Sequence, residues 1–173
     1  MESRAIQIAR QVEKLKVLVV DDEPSMRKVV RALLQAIGIK TIHEAADGND
    51  GLDKIRTRAP DLVILDWEMP SPNGPEFMRT VRSPGKFPLP DVPVIMLTGY
   101  SERSRVIEAM QLGVNEYLLK PVSSTALLTR IVSILIHPRP MVRRGEYYGP
   151  EPRPSLLPAK PDYATHPQDV VLV

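Results

Sequence analysis

No cysteine occurs in the 173-residue chain, which excludes disulfides, zinc–thiolate centres and thiol nucleophiles. Long apolar runs are missing as well. None approaches the roughly 20 residues of a membrane span, and the opening MESRAIQIARQVEK spreads charges among its apolar residues where a signal peptide would carry an apolar core. A cytoplasmic protein is expected. Nor is there an excess of one charge: 23 Lys and Arg stand against 21 Asp and Glu, for a net charge of +2. Nothing in that balance forecasts the strong phosphate affinity of a nucleic-acid binder, and no nucleic-acid partner is expected. The first apolar run leads into DDEPS instead of a glycine-rich loop, so a phosphate-cradling nucleotide site is not indicated. His43, His137 and His166 have no metal-ligand spacing and read as structural or surface residues. The length suits one domain with an appendage.

What is present is alternation. Apolar runs at 16–20 (KVLVV), 62–65 (LVIL), 92–97 (VPVIML) and 116–120 (EYLLK) predict strands, with a weaker one at 41–45 (TIHEA). Three are continuously apolar, as strands covered on both faces are. Helical spacing lies between them. Met26, Val29, Val30, Leu33, Leu34 and Ile37 form one stripe that Gly38 ends. Further helices are predicted over 48–58, 74–82, 101–112 and 123–136, with Gly113 as a stop and Ser123 or Ser124 as an N-cap. Five rounds of strand then helix imply an α/β fold with a parallel sheet, right-handed crossovers and helices on both faces. In such a doubly wound sheet, ligands bind outside the carboxyl ends of the strands.

Polar groups gather at those ends: Asp21 and Asp22 after the first strand, Asp66 after the third, Thr98 after the fourth, Lys120 after the fifth. Taken singly, each has an ordinary explanation. Asp21 and Asp22 could cap the next helix, Thr98 could be a strand-end threonine, and Lys120 a solvated charge. Their convergence on one edge outweighs those explanations. Massed carboxylates either raise a pKa or bind a cation, and oxygen-only ligands suit Mg²⁺, which favours one or two carboxylates plus phosphate oxygens. With Lys120 as a point charge and Thr98 as a donor, the set reads as a phosphoryl site in which Asp66 serves as nucleophile.

VVDDEPSMR, LVILDWEMPSPNG, VIMLTG and LGVNEYLLKP, in that order and spacing, closely resemble the receiver domains of two-component response regulators over residues 15–136. The resemblance implies a flavodoxin-like fold with strand order 2-1-3-4-5 and Asp66 as phosphoacceptor, charged from a sensor histidine kinase. It implies Mg²⁺ held by Asp21, Asp22, Asp66 and the backbone carbonyl of Glu68, with Thr98 and Lys120 on the phosphoryl group, autodephosphorylation, and a cis Lys120–Pro121 bond. Tyr117 matches the family's switch aromatic, turning inward as Thr98 moves. Glu68 and Tyr100 flank the water path to the phosphoryl group, where they are expected to set its lifetime. Trp67 stands where a smaller aliphatic is usual and is expected to crowd the site or stack on a partner. The proline-rich connection 83–91 (SPGKFPLPD) suggests no function. A haloacid-dehalogenase-type phosphatase also uses aspartate, Mg²⁺, threonine and lysine, but it expects a second aspartate where Glu68 stands and does not place paired aspartates before the nucleophile. A pseudo-receiver that binds partners without phosphorylation is disfavoured by the complete residue set.

Residues 1–14 form an N-terminal extension in which Ile6, Ala9 and Val12 fall on one side of a short helix, and 15–137 form the receiver. Residues 138–173 are proline-rich without helical period, hence a tail or arm, and too short for a helix-turn-helix output domain. The helix at 123–136 carries Leu127, Leu128, Ile131, Val132, Ile134, Leu135 and Ile136, more apolar surface than one buried face needs. A homodimer through this helix is therefore expected, with Tyr147, Tyr148, Leu156 and Leu157 of the tail anchored on the partner subunit. The other partners expected are the sensor kinase and a downstream or histidine-phosphotransfer protein, with terminal regulator, relay intermediate and phosphate sink all left open.

Overall fold

The computed structural model describes residues 1–100 and 102–154. In chain order the elements are α1 (Arg4–Glu13), β1 (Lys16–Val20), α2 (Pro24–Ala36), β2 (Thr41–Ala45), α3 (Gly48–Arg58), β3 (Leu62–Asp66), α4 (Gly74–Val81), β4 (Val94–Thr98), α5 (Arg103–Gln111), β5 (Glu116–Leu119), α6 (Ser124–Ile136), β6 (Met141–Arg144) and β7 (Tyr147–Pro150). The first five strands make one parallel sheet in the order β2-β1-β3-β4-β5, the flavodoxin-like arrangement expected from the sequence.

Between their ends, strands β1, β3 and β4 are apolar because both faces are covered. Leu18, Val20, Val63, Leu65, Val94 and Met96 pack toward α3 and α4, against Leu52, Ile55, Phe77 and Met78. Val17, Val19, Leu62, Ile64, Ile95 and Leu97 pack on the other side against Val30 and Leu34 of α2 and Leu127 and Ile131 of α6. Register aligns the carboxyl ends: Val20 lies beside Leu65 and Ala45, Asp66 beside Leu97, and Thr98 beside Leu119. The residues that follow these positions are delivered to one edge.

The predicted extension at 1–14 is a helix. Ser3 caps α1, and Val12 is buried with Ile8 and Leu15 in the core layer that contains α6. Part of the broad apolar surface of α6 is thus covered within the same chain, with Leu128, Ile134 and Leu135 joining that layer. The sequence reading assigned this covering to a second subunit.

The larger correction concerns the tail. Residues 141–150 form an antiparallel hairpin on their own receiver. Gly145, at φ +61°, opens the two-residue turn between Arg144 and Tyr147, a position that favours glycine. Composition hid this because the prolines dominate the segment, yet Pro140 and Pro150 stand only at the hairpin's ends, where no ladder bond is lost. The tyrosines proposed as partner anchors are engaged internally: Tyr147 donates from its hydroxyl to the carbonyl of Pro150, and Tyr148 to Asp91. Beyond the hairpin, Arg153 pairs with buried Glu116. Leu156, Leu157 and His166 lie outside the described residues.

The hairpin covers the amino ends of β4 and β5, where Arg82 is buried. The Arg82 guanidinium donates to the carbonyls of Gly113 (3.0 Å), Pro90 (2.6 Å) and Val92 (2.7 Å) and to Asn115 Oδ1 (2.9 Å). Burial lowers its pKa to about 10, with Tyr147, Asp91 and Tyr148 acting in the opposite sense; it remains a cation at neutral pH. The 83–91 connection thereby gains a role, since its carbonyl at Pro90 and carboxylate at Asp91 hold Arg82 and the hairpin. Glycine meets glycine at this contact. A Cβ on Gly149 would lie 2.7 Å from the Gly113 Cα, and one on Gly113 would lie 2.8 Å from the Tyr148 carbonyl. Gly149→Val is expected to lift the hairpin and cost about 1–3 kcal/mol, read as a lower urea midpoint together with faster amide exchange across 141–150.

Candidate functional site

Asp66, the last residue of β3, is 4% exposed, and Asp21, just after β1, is 1% exposed. Charges at such depth need partners. Lys120, placed beyond β5 by the hydrogen bond from its amide to the Thr98 carbonyl, directs its ammonium back into the cluster. Its Nζ donates to Asp66 Oδ1 at 2.9 Å and lies 4.0 Å from Asp21 Oδ2. Burial pulls the Lys120 pKa down, but the hydrogen bond to Asp66 and the charges of Asp66, Asp21 and Glu68 outweigh it, so the net shift is upward.

On the carboxylates burial acts in the other direction. Burial pushes the Asp66 pKa up to about 6 and the Asp21 charge adds to it, while Lys120 and the Glu68 amide act against them. Asp21 is likewise raised, chiefly by burial. Its Oδ1 accepts the Glu23 amide at 2.9 Å, and its Oδ2 is buried without a hydrogen-bond partner among the described residues. Helix capping does not account for these aspartates: Glu23 is the N-cap residue of α2, and Pro24 opens the helix.

One ligand oxygen from each of Asp21, Asp22 and Asp66 lies within 4.8 Å of the others. Three hard oxygen donors, one of them a buried orphan, fit a small divalent cation, and Mg²⁺ is the ion that such a set with phosphate oxygens suits. The Glu68 amide, 3.4 Å from Asp66 Oδ1, keeps the β3–α4 loop folded against the cluster.

The remaining candidates divide into those brought together and those kept apart. Thr98 is fully buried, and its hydroxyl donates to Glu68 Oε1 at 2.5 Å while accepting the Tyr100 amide at 3.1 Å. That side-chain link between Glu68 and Thr98 could not be read from the sequence, which placed the two residues in different roles. Tyr100 is 46% exposed and lies under the Arg105 guanidinium, 4.2 Å from its ring centroid. Tyr117 is half-buried on β5, against the core layer on the α5 side. Arg130 of α6 reaches both the Tyr117 ring, at 5.8 Å, and Glu116, at 3.6 Å; nothing in the sequence marked it.

Trp67 corrects an expectation. It is only 5% exposed, so it is not free to stack on a partner. Its indole fills the space over Gly74 at the start of α4, where a Cβ would come within 2.3 Å of the ring. The bulk that promised crowding is absorbed by the core.

Among the described residues no helix is long and apolar enough to cross a membrane. Comparison with known proteins agrees with this geometry. The response regulator receiver domain family matches residues 17–132. Chemotaxis protein CheY of Pseudomonas aeruginosa is 36% identical over 120 residues, covering 69% of this chain and 95% of that protein. Chemotaxis protein CheY-3 of Vibrio cholerae is 34% identical over 122 residues, covering 70% and 92%. The crystal structure of Vibrio cholerae CheY4 superposes with a TM-score of 0.61 at 33% identity, covering 68% of this chain and 95% of that one. These matches set aside the phosphatase alternative, and the chain belongs to the response regulator receiver domain family of two-component signalling.

Proposed function

We propose that the protein is a phosphoryl-accepting switch in which Asp66 takes the phosphoryl group of a sensor kinase's phosphohistidine. The observation that carries this reading is the Asp66–Lys120 ion pair at 2.9 Å, set inside a cluster of three carboxylates. An isolated buried aspartate would be neutralised by protonation; here a cation keeps it anionic and aims it. A carboxylate oxygen of Asp66 attacks phosphorus as the phosphorus–nitrogen bond breaks, and the departing imidazole nitrogen keeps the bonding pair and takes up a proton. Lys120 neutralises charge on the transferred oxygens, and Thr98 supplies a hydrogen-bond donor. Asp21, Asp22, Asp66 and the Glu68 backbone carbonyl would hold Mg²⁺, which supplies charge compensation at the phosphoryl oxygens when bound.

The response is a change of protein contacts. Thr98 and Tyr117 lie on neighbouring strands, with Arg130 bridging Tyr117 to α6, so a shift of Thr98 would be felt on the α5–β5–α6 surface where a downstream protein is expected to read it. Hydrolysis of the acyl phosphate resets the switch, and Glu68 and Tyr100, at the mouth of the site, set its lifetime. The Asp66 phosphoryl group is equally available to a histidine-phosphotransfer protein.

Incubation with Mg²⁺ and acetyl phosphate should add one phosphoryl group to the intact mass, and the gain should be absent both in Asp66→Ala and when EDTA is present. An unchanged wild-type mass, with a kinase's phosphohistidine as donor too, would sink the reading. A thermal measurement tests the acidic cluster separately. Without divalent ions, Asp21→Asn should be more stable than wild type by about 1 kcal/mol or more, because it removes an uncompensated buried charge. Mg²⁺ should raise the wild-type melting temperature and leave that of Asp21→Asn nearly unmoved.

A further inference from the structure

We propose that the Glu68 side chain is an internal competitor for the phosphoryl group: its carboxylate holds the Thr98 hydroxyl, and phosphorylation must displace it. This rests on the phosphoryl-accepting reading of Asp66 and extends it to how the switch is held off.

The argument begins with what a hydroxyl can do. Thr98 has one proton to donate, and in this structure Glu68 Oε1 receives it at 2.5 Å. The Tyr100 amide donates to the same oxygen at 3.1 Å, and full burial of Thr98 shuts out solvent partners. A phosphoryl oxygen on Asp66 therefore gains the Thr98 donor only when Glu68 releases it. The bond being released has an ionised acceptor, the stronger kind.

Glu68 resembles the incoming group in charge and in acceptor chemistry, and its charge already acts on Lys120. It occupies the contact that a phosphoryl group would make, from two residues along the same loop. A route for departure is present: Glu68 lines an open groove with Asn73, Arg105 and Glu108. There Arg105, now stacked on Tyr100 and 3.7 Å from Glu102, offers a cation to the displaced carboxylate. Glu68 is thus a positioning residue. It acts on Thr98, and through Thr98 on the strand pair that carries Tyr117.

Repulsion between Glu68 and a phosphoryl anion would also weaken binding, without any hydrogen bond to Thr98, and a double-mutant cycle separates the two effects. The probe is beryllium fluoride with saturating Mg²⁺, titrated calorimetrically into wild type, Glu68→Ala, Thr98→Val and the double variant. Loss of one charge-assisted hydrogen bond predicts about tenfold tighter binding in Glu68→Ala than in wild type. In the Thr98→Val background the same substitution should change affinity less than about twofold, because the contact it relieves is already absent. Glu68→Gln, which keeps an acceptor and loses the charge, should fall between wild type and Glu68→Ala. An equal gain in both backgrounds would assign the effect to charge repulsion and overturn the competitor, as would no gain in either. Failure of all the proteins to bind the probe with Mg²⁺ would instead overturn the phosphoryl site on which the proposal rests.

Discussion

A lysine just beyond the last strand of the sheet is held against an aspartate from its centre, and the rest of the structure is arranged around that contact. Lys120 and Asp66 are 54 positions apart in sequence and meet at 2.9 Å. The meeting requires β3, β4 and β5 to run parallel and to end in register, which their continuous apolar faces and the two core layers enforce. Without the lysine, Asp21 and Asp66 would be two buried carboxylates with no reason to stay ionised. With it, the cluster is one cation short of neutrality, a condition suited to binding a metal ion and then a phosphoryl group.

The same edge is also the junction between chemistry and conformation. Thr98 ends β4, and its neighbour in the ladder, Leu119, is followed at once by Lys120. Backbone pairing thus joins Thr98 directly to the strand that bears Tyr117, the path that the proposed switch would use. Glu68 sits in the loop that directly follows Asp66 and accepts the Thr98 hydroxyl proton. In the proposed switch, the proposed phosphoacceptor and its restraint are thus only two residues apart.

At the far end of the sheet the architecture serves stability. Arg82 is a buried cation surrounded mainly by carbonyl oxygens, and the β6–β7 hairpin closes over it through a contact that tolerates no side chain. Because Gly113 follows α5 at φ +88° and Glu116, directly after Asn115, begins β5, the hairpin clasps the amino ends of the two strands whose other ends build the site. Helix α1 does comparable work on α6. Residues outside the family match thus brace its last strands and helix.

Local pattern was sufficient for the sheet, its helices and the main site residues. Short apolar runs ending in Asp21, Asp66, Thr98 and Lys120, alternating with helical segments, fit a doubly covered parallel sheet, and such a sheet brings its strand ends to one edge. What escaped the sequence depends on contacts between distant positions. The hairpin at 141–150 is too short to show alternation and lies among prolines, and its docking depends on Gly113 and Asp91, far from it in sequence. Trp67 is buried because Gly74 leaves room for it, a vacancy that no spacing reveals. The Glu68–Thr98 hydrogen bond joins residues 30 positions apart, and its direction is set by side-chain rotamers within the folded loop. Sequence alone determined which groups reach the edge, because strand periodicity is local; only tertiary packing decided which of them touch, because each contact is chosen by the shape of everything around it.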